Sequence, residues 1–267
     1  MPATVNSAIA MNQKNIKISA IILTKNDQTR IKECLESVSW ADEIIVVDNE
    51  SIDNTVNIAR GMGASVVSEK VSIDFAKLRN IGKEKTTGDF ILYVDSDERV
   101  TEELKREIQE VIKTYNPARD PVAYFISRKN YYLGRLWPYR DRMERFFWKR
   151  GLIEWEGKLH ESPKVSGKVG QLKHPLLHFT HRTLEEMLEK TNQWSEIEAD
   201  LRLRSGHPPI VFWRLIRVIA SAFFDSFIKQ GGWRAGVTGW IESIFQSYSA
   251  FITYAKLWEK QQAASGR

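Results

Sequence analysis

An α/β fold with a mostly parallel central sheet is predicted by three observations. Apolar strand-like runs alternate with helical patterns, the runs end in acidic turns, and the last third of the chain changes to long amphipathic stretches. Strand, helix, strand, helix is the rhythm of βαβ units, whose crossover helices set successive strands parallel. The first run, Ile18-Ser19-Ala20-Ile21-Ile22-Leu23, ends in Thr24-Lys25-Asn26-Asp27 and leads into a helical pattern through Ile31, Leu35 and Val38. The second, Glu43-Ile44-Ile45-Val46-Val47, ends in Asp48, and a polar turn separates it from a helical pattern at Val56, Ile58 and Ala59. The third, Phe90 to Val94, runs straight into Asp95-Ser96-Asp97-Glu98.

That last segment carries the most chemistry. Residues two apart on a strand point the same way, so Asp95 and Asp97 can aim both carboxylates at one hard cation. Mg²⁺ or Mn²⁺ held by one or two carboxylates keeps sites open for phosphate oxygens, which suits the departure of a nucleoside diphosphate. The plain alternative is a solvated turn or a helix N-cap ahead of Thr101-Glu102-Glu103-Leu104. Convergence favours the chemical reading. Ligands of open parallel sheets gather at the carboxyl ends of the strands, and three successive strands here end in Asp27, Asp48 and Asp95/Asp97.

Four ordered motifs sharpen this: Thr24-Lys25-Asn26-Asp27; Val46-Val47-Asp48-Asn49-Glu50-Ser51 with Asp53 and Thr55; Phe75-Ala76-Lys77-Leu78-Arg79-Asn80 with Gly82; and Val94-Asp95-Ser96-Asp97-Glu98. Together they resemble family 2 of the inverting glycosyltransferases, which has the GT-A fold. The branch most resembled holds the lipopolysaccharide core β-glucosyltransferases that act on heptose. The resemblance implies a UDP-sugar donor and a divalent metal, Mg²⁺ or Mn²⁺. It implies that Asp48 contacts the nucleobase, with capping of the turn through Ser51 as the alternative. It places Thr24 and Asp27 in the same nucleoside pocket, Arg79 near the donor phosphates with Lys77 beside it, and Asp95 at both nucleotide sugar and metal. Asp97 would be a metal ligand, and His178, like a histidine of some GT-A enzymes, a third, with a satisfied, partly buried histidine as the alternative. An inverting transfer needs a carboxylate to deprotonate the attacking hydroxyl. The segment Trp155-Glu156-Gly157-Lys158-Leu159-His160-Glu161 resembles the branch's segment ending in His-Glu and implies Glu161 as that base, with Glu154 and Glu156 as competing carboxylates. His160 would shape the acceptor site and Arg145 would orient the segment. Trp137, Trp148 and Trp155 are candidates for stacking on a sugar face, with core packing as the alternative.

The chain has 267 residues, 42% of them hydrophobic, enough for one substantial α/β domain with appendages. Its single cysteine, Cys34, excludes an internal disulfide and, beside Leu35 in a helical pattern, reads as a buried small apolar residue rather than a nucleophile. Met1 to Asn15 lack the basic segment and long apolar core of a secretory signal, which predicts a mobile tail on a cytoplasmic protein. The net charge of +5 is spread, whereas acidic residues sit at the strand ends; this argues against nucleic acid and suits an anionic lipid surface.

Between Ile210 and Lys229, Arg214, Arg217, Ser221 and Asp225 form a narrow polar stripe on a very apolar helical pattern. Gly231-Gly232 breaks it, and a second amphipathic pattern runs from Trp240 to Trp258. Neither offers the roughly 20 consecutive apolar residues of a membrane span. Aromatic residues flanked by Arg and Lys predict helices lying on anionic lipid at the inner face of the cytoplasmic membrane; packing on the catalytic domain, or a homodimer through these helices, competes. The expected organisation is a tail over 1–15, a GT-A domain over 16–182 and a helical appendage over 183–267. The expected activity is hexosyl transfer, glucose favoured, from a UDP-sugar to a cell-envelope glycan such as lipopolysaccharide core. Transfer to a polyprenyl phosphate or a peptide side chain, nucleotidyl transfer, and a non-catalytic membrane scaffold are the alternatives.

Overall fold

The computed structural model describes residues 16–71, 74–157 and 161–265, so the tail expected over residues 1–15 lies outside it. The chain divides into two compact units, the first up to Arg128 and again from Asp141 to His178, the second from Lys129 to Arg140 and from Phe179 onward.

The first unit opens with β1 (Ile18–Thr24), α1 (Ile31–Val38), β2 (Glu43–Asp48), α2 (Thr55–Gly61), β3 (Ser65–Ser68), α3 (Phe75–Lys85) and β4 (Phe90–Asp95). The strands lie side by side as β3-β2-β1-β4, all parallel, because each connection returns through a helix. β1 is buried along its whole length, as a strand covered on both faces must be. On one face Ile22, Val46 and Leu92 pack with Leu35 of α1; on the other Ile21, Val47 and Tyr93 pack with Leu78 of α3. The register sets Thr24 opposite Asp48 and Leu23 opposite Asp95, so the strand ends named in the sequence finish level with one another.

Beyond β4 the sheet becomes mixed. β5 (Glu98–Val100) and α4 (Glu102–Thr114) lead to β6 (Ala123–Tyr132), β7 (Arg135–Leu136) and β8 (Arg142–Trp148). No helix separates β6 from β8, so the two meet antiparallel, and β8 also borders β4 antiparallel. The helix expected after the acidic pair is capped by Thr101, whose hydroxyl accepts from the Leu104 N–H at 3.2 Å, so the cap is Thr101 and not Asp97. A hairpin of β9 (Leu152–Glu156) and β10 (Ser162–Val165) follows, then β11 (Val169–Gln171) and β12 (Leu176–Thr180). β12 pairs with β5 so that His178 stands opposite Glu98.

The second unit contains the β6–β7 turn, α5 (Leu184–Arg204), α6 (Phe212–Phe224), a π-helical turn (Asp225–Lys229), a 3-10 turn (Gly232–Ala235) and α7 (Val237–Ala264). It differs from the expected appendage in beginning at Phe179 and in including residues 129–140. The reason is Trp137: its indole is 2% exposed, lies against Tyr132, and donates from Nε1 to Gln230 Oε1 at 3.1 Å. α5 starts at Thr183, whose hydroxyl accepts from the Glu186 N–H at 3.1 Å. Ala199, Ile210 and Leu257 form a small core. The backbones at Gly232 and Gly239 approach so closely that a Cβ on Gly239 would fall 1.8 Å from the Gly232 carbonyl oxygen. No described helix is long and apolar enough to cross a membrane.

Candidate active site

The site grows out of the level strand ends. After β1 the chain turns at Asn26, in the left-handed region at φ 51°, and reaches Asp27. Its carbonyl accepts from the N–H groups of Arg30 and Ile31, both at 2.9 Å, and so starts α1. Its carboxylate accepts from the Arg30 guanidinium and the Ser96 hydroxyl, and its N–H donates to Thr55 Oγ1 at 2.7 Å. Asp27 thereby ties the ends of β1 and β4 to the start of α2. Thr24 Oγ1 is buried and has no hydrogen-bond partner among the described residues. Asp48 is 1% exposed, and both its oxygens accept from the Ser51 N–H, at 3.3 and 3.2 Å. That is the turn-capping contact, and it occupies little of the carboxylate's accepting capacity.

Arg79 is the hub. α3 is fixed at its start by the Asp74 side chain, which accepts from the Lys77 N–H at 2.9 Å, and it turns Arg79 inward while Lys77 stays exposed. The Arg79 guanidinium lies 5.0 Å from the Trp155 ring centroid and 5.6 Å from that of Tyr93. From there it reaches Asp95 Oδ1 at 3.1 Å and Glu161 Oε1 at 3.0 Å. Arg145, from β8, holds Asp95 Oδ2. Burial alone would push the Asp95 carboxyl up, but Arg145 and then Arg79 outweigh it and hold the group well below the usual carboxylate range. The same carboxylates push Arg79 further up against the opposing effect of its burial.

Asp97 points elsewhere, with Oδ2 3.5 Å from His178 Nε2. A carboxylate and an imidazole are both ligand types for a divalent cation, and an ion held by two protein ligands keeps its other positions for phosphate oxygens. Among the described residues there is no group of three or more His, Cys, Asp or Glu that could enclose such an ion, so an open site is the only kind these residues can make.

The structure therefore brings Asp95, Arg79 and Glu161 into direct contact, sets Asp97 against His178, and ties Asp27 in through Ser96. Glu154 and Glu156 are instead exposed and pair with Lys164, at 3.8 and 3.2 Å. Glu161 is seated at the start of β10, and the hairpin is clamped to α3 by Asn80, whose side-chain amide exchanges two hydrogen bonds with the Trp155 backbone, at 2.9 and 2.8 Å. His160 lies outside the described residues. Trp155 and Trp137 are buried in packing, and Trp148 is partly buried against the core. Cys34 is fully buried, and burial pushes its thiol up, as an inert side chain requires.

Sequence reasoning assigned no role to Glu98. It is 0% exposed, accepts the Asp95 N–H at 3.0 Å, and pairs with Arg128 at 3.1 Å and Arg145 at 3.7 Å. Arg128 in turn binds Asp141. The one signal was an acidic residue in a strand whose three positions are all buried.

Fold and site together define a glycosyltransferase of GT-A type. The chain belongs to glycosyl transferase family 2, whose description matches residues 19–164. It is 28% identical over 256 residues to an uncharacterized glycosyltransferase of Rickettsia conorii, covering 91% of this chain and 90% of that one. It is 26% identical over 259 residues to the lipopolysaccharide core biosynthesis glycosyltransferase LpsC of Rhizobium meliloti, covering 92% and 93%. Among solved structures, the mannosyltransferase PcManGT from Pyrobaculum calidifontis, in complex with GDP-Man and Mn²⁺, matches with a TM-score of 0.53 at 13% identity, over 93% of this chain and 89% of that one, and shares the fold.

Proposed function

We propose that this glycosyltransferase moves a hexose, glucose in the favoured reading, from a UDP-sugar to a hydroxyl of a cell-envelope glycan such as lipopolysaccharide core, with inversion at the anomeric carbon. The observation that carries the reaction is Arg79, which joins Asp95, at the donor strand end, to Glu161. Both Arg79 bonds fall on Glu161 Oε1, which leaves Oε2 to take a proton. The acceptor oxygen forms its bond to the anomeric carbon as the bond to the diphosphate breaks; its proton passes to Glu161, and the nucleoside diphosphate leaves with the bonding pair. A divalent cation, when bound, would supply charge neutralisation for that leaving group, and Asp97 and His178 are the residues that would hold it, because both oxygens of Asp95, the further ligand expected from the sequence, are taken by Arg79 and Arg145. Asp48 receives the nucleobase edge, accepting from the uracil imide N–H, while Thr24 and Asp27 line the nucleoside pocket beside it.

The acceptor reading is supported by the near full-length likeness to LpsC. An interfacial location is supported by α6, which has no buried residue and exposes Phe212, Trp213, Ile216 and Phe224 beside Arg217. The test is a panel of UDP- and GDP-sugars with Mn²⁺ or Mg²⁺ and a core oligosaccharide acceptor. UDP release that needs both acceptor and metal is expected. Pyrophosphate as product, or no turnover of any donor, overturns the proposal.

A further inference from the structure

The second unit holds a cavity of about 300 Å³, lined by Tyr132, Asp225, Ser226, Gln230, Glu242 and Gln246. The transfer chemistry uses none of these residues. Three features separate the cavity from leftover space. Glu242 is 0% exposed in the second turn of α7, where its oxygens accept from His181 Nδ1 at 3.1 and 3.2 Å and from Gln246 Nε2 at 2.7 Å. Burying a carboxylate is costly, and packing of apolar helices does not require one. One wall is the π-helical turn Asp225–Lys229, a geometry that recurs at functional sites. His181 is held in the left-handed region at φ 50°, with its ring stacked 5.2 Å from that of Tyr132; such strain persists only where the surroundings enforce it and is concentrated at ligand sites.

The lining selects a chemical class. Asp225 is paired with Lys229 at 2.6 Å, and Glu242 is engaged by His181 and Gln246, so a cation finds both carboxylates already occupied. An anion meets those same carboxylates and is repelled. The Gln230 oxygen accepts from Trp137 Nε1 at 3.1 Å, which leaves its amide N–H groups to donate, while the buried Ser226 hydroxyl, 3.0 Å from that of Ser243, keeps a lone pair to accept whichever of the two donates. Mixed donors and acceptors beside an aromatic ring match hydroxyl groups on a compact ring. The volume lies at the small end of the roughly 300–1,000 Å³ of ligand pockets, closer to one sugar ring than to a nucleotide.

We propose that this cavity is a saccharide subsite of the second unit, taking one neutral, hydroxyl-rich sugar ring. The inference stands apart from the identity of donor and acceptor, because it rests on side chains of the second unit that the transfer chemistry does not use. The test is a titration of the full ¹⁵N-labelled chain, in the presence of UDP and Mg²⁺, with methyl glucoside and methyl mannoside, followed by amide chemical shifts. Saturable shifts at Ser226, Gln230 and Gln246 are expected, with apparent affinity at least tenfold weaker in Gln246→Leu. Asp225→Asn, at the solvent-accessible rim, serves as the second variant if Gln246→Leu fails to give a native spectrum. Shifts confined to residues of the first unit, or no shift with either glycoside, overturn the proposal. A larger response of the same amides to inorganic phosphate or to Ca²⁺ overturns the ligand class.

Discussion

Glu161, Glu154 and Glu156 are chemically the same group, and their surroundings alone separate them. Glu161 is seated on a buried guanidinium, whereas the other two share an exposed lysine, so only Glu161 has a fixed direction in which to accept a proton. Glu161→Gln should therefore lower kcat roughly 10²- to 10⁴-fold, the usual contribution of a positioned base, with donor affinity nearly unchanged. Steady-state kinetics with calorimetric donor titration checks this, and an inactive Glu156→Gln beside an active Glu161→Gln would reverse the assignment. Asp27, Asp48, Asp95 and Asp97 were legible because each follows an apolar strand. Glu98 was not, since its partners Arg128 and Arg145 come from distant strands, and only the folded sheet shows that a carboxylate can be buried between them.

At the scale of elements, the parallel half of the sheet and its helices could be read because long apolar runs and helical periods differ sharply there. β7 and β11 could not, being short and exposed, with too few residues for a period to show. The unit boundary also escaped the sequence, because a hairpin carrying one buried indole looks the same whichever unit receives the indole. Close packing of α3 on the sheet rests on Gly82, where a Cβ would stand 2.6 Å from Ile21 Cγ2 and 3.2 Å from Val47 Cγ2. Gly82→Ala should cost about 1–3 kcal/mol by overpacking, set against a smaller gain in helix propensity. Because Arg79 is carried on the same helix, urea unfolding should show the stability loss and donor titration a matching loss of affinity. An unchanged midpoint would mean that the contact relaxes without strain.

On the scale of the whole molecule, the chain sets a carboxylate-rich site in one unit and a strongly apolar exposed surface in the other. Trp213 is 75% exposed and Trp233 55%. If that surface lies on lipid, Trp213→Glu should weaken binding to anionic vesicles at least about tenfold, since withdrawing one large apolar side chain costs about 2 kcal/mol. Flotation assays give the readout, and equal binding by variant and parent would assign the surface to protein contacts instead. The arginine pairing around Asp95, Glu98, Asp141 and Glu161 carries a consequence for encounter kinetics. Arg79, Arg128 and Arg145 offset all but one of these four carboxylates, so the cluster projects little net field into solvent, and a nucleotide sugar arriving with its cation is only weakly attracted from a distance. Its association rate should then change less than about twofold as ionic strength rises severalfold, where an electrostatically steered encounter would slow steeply.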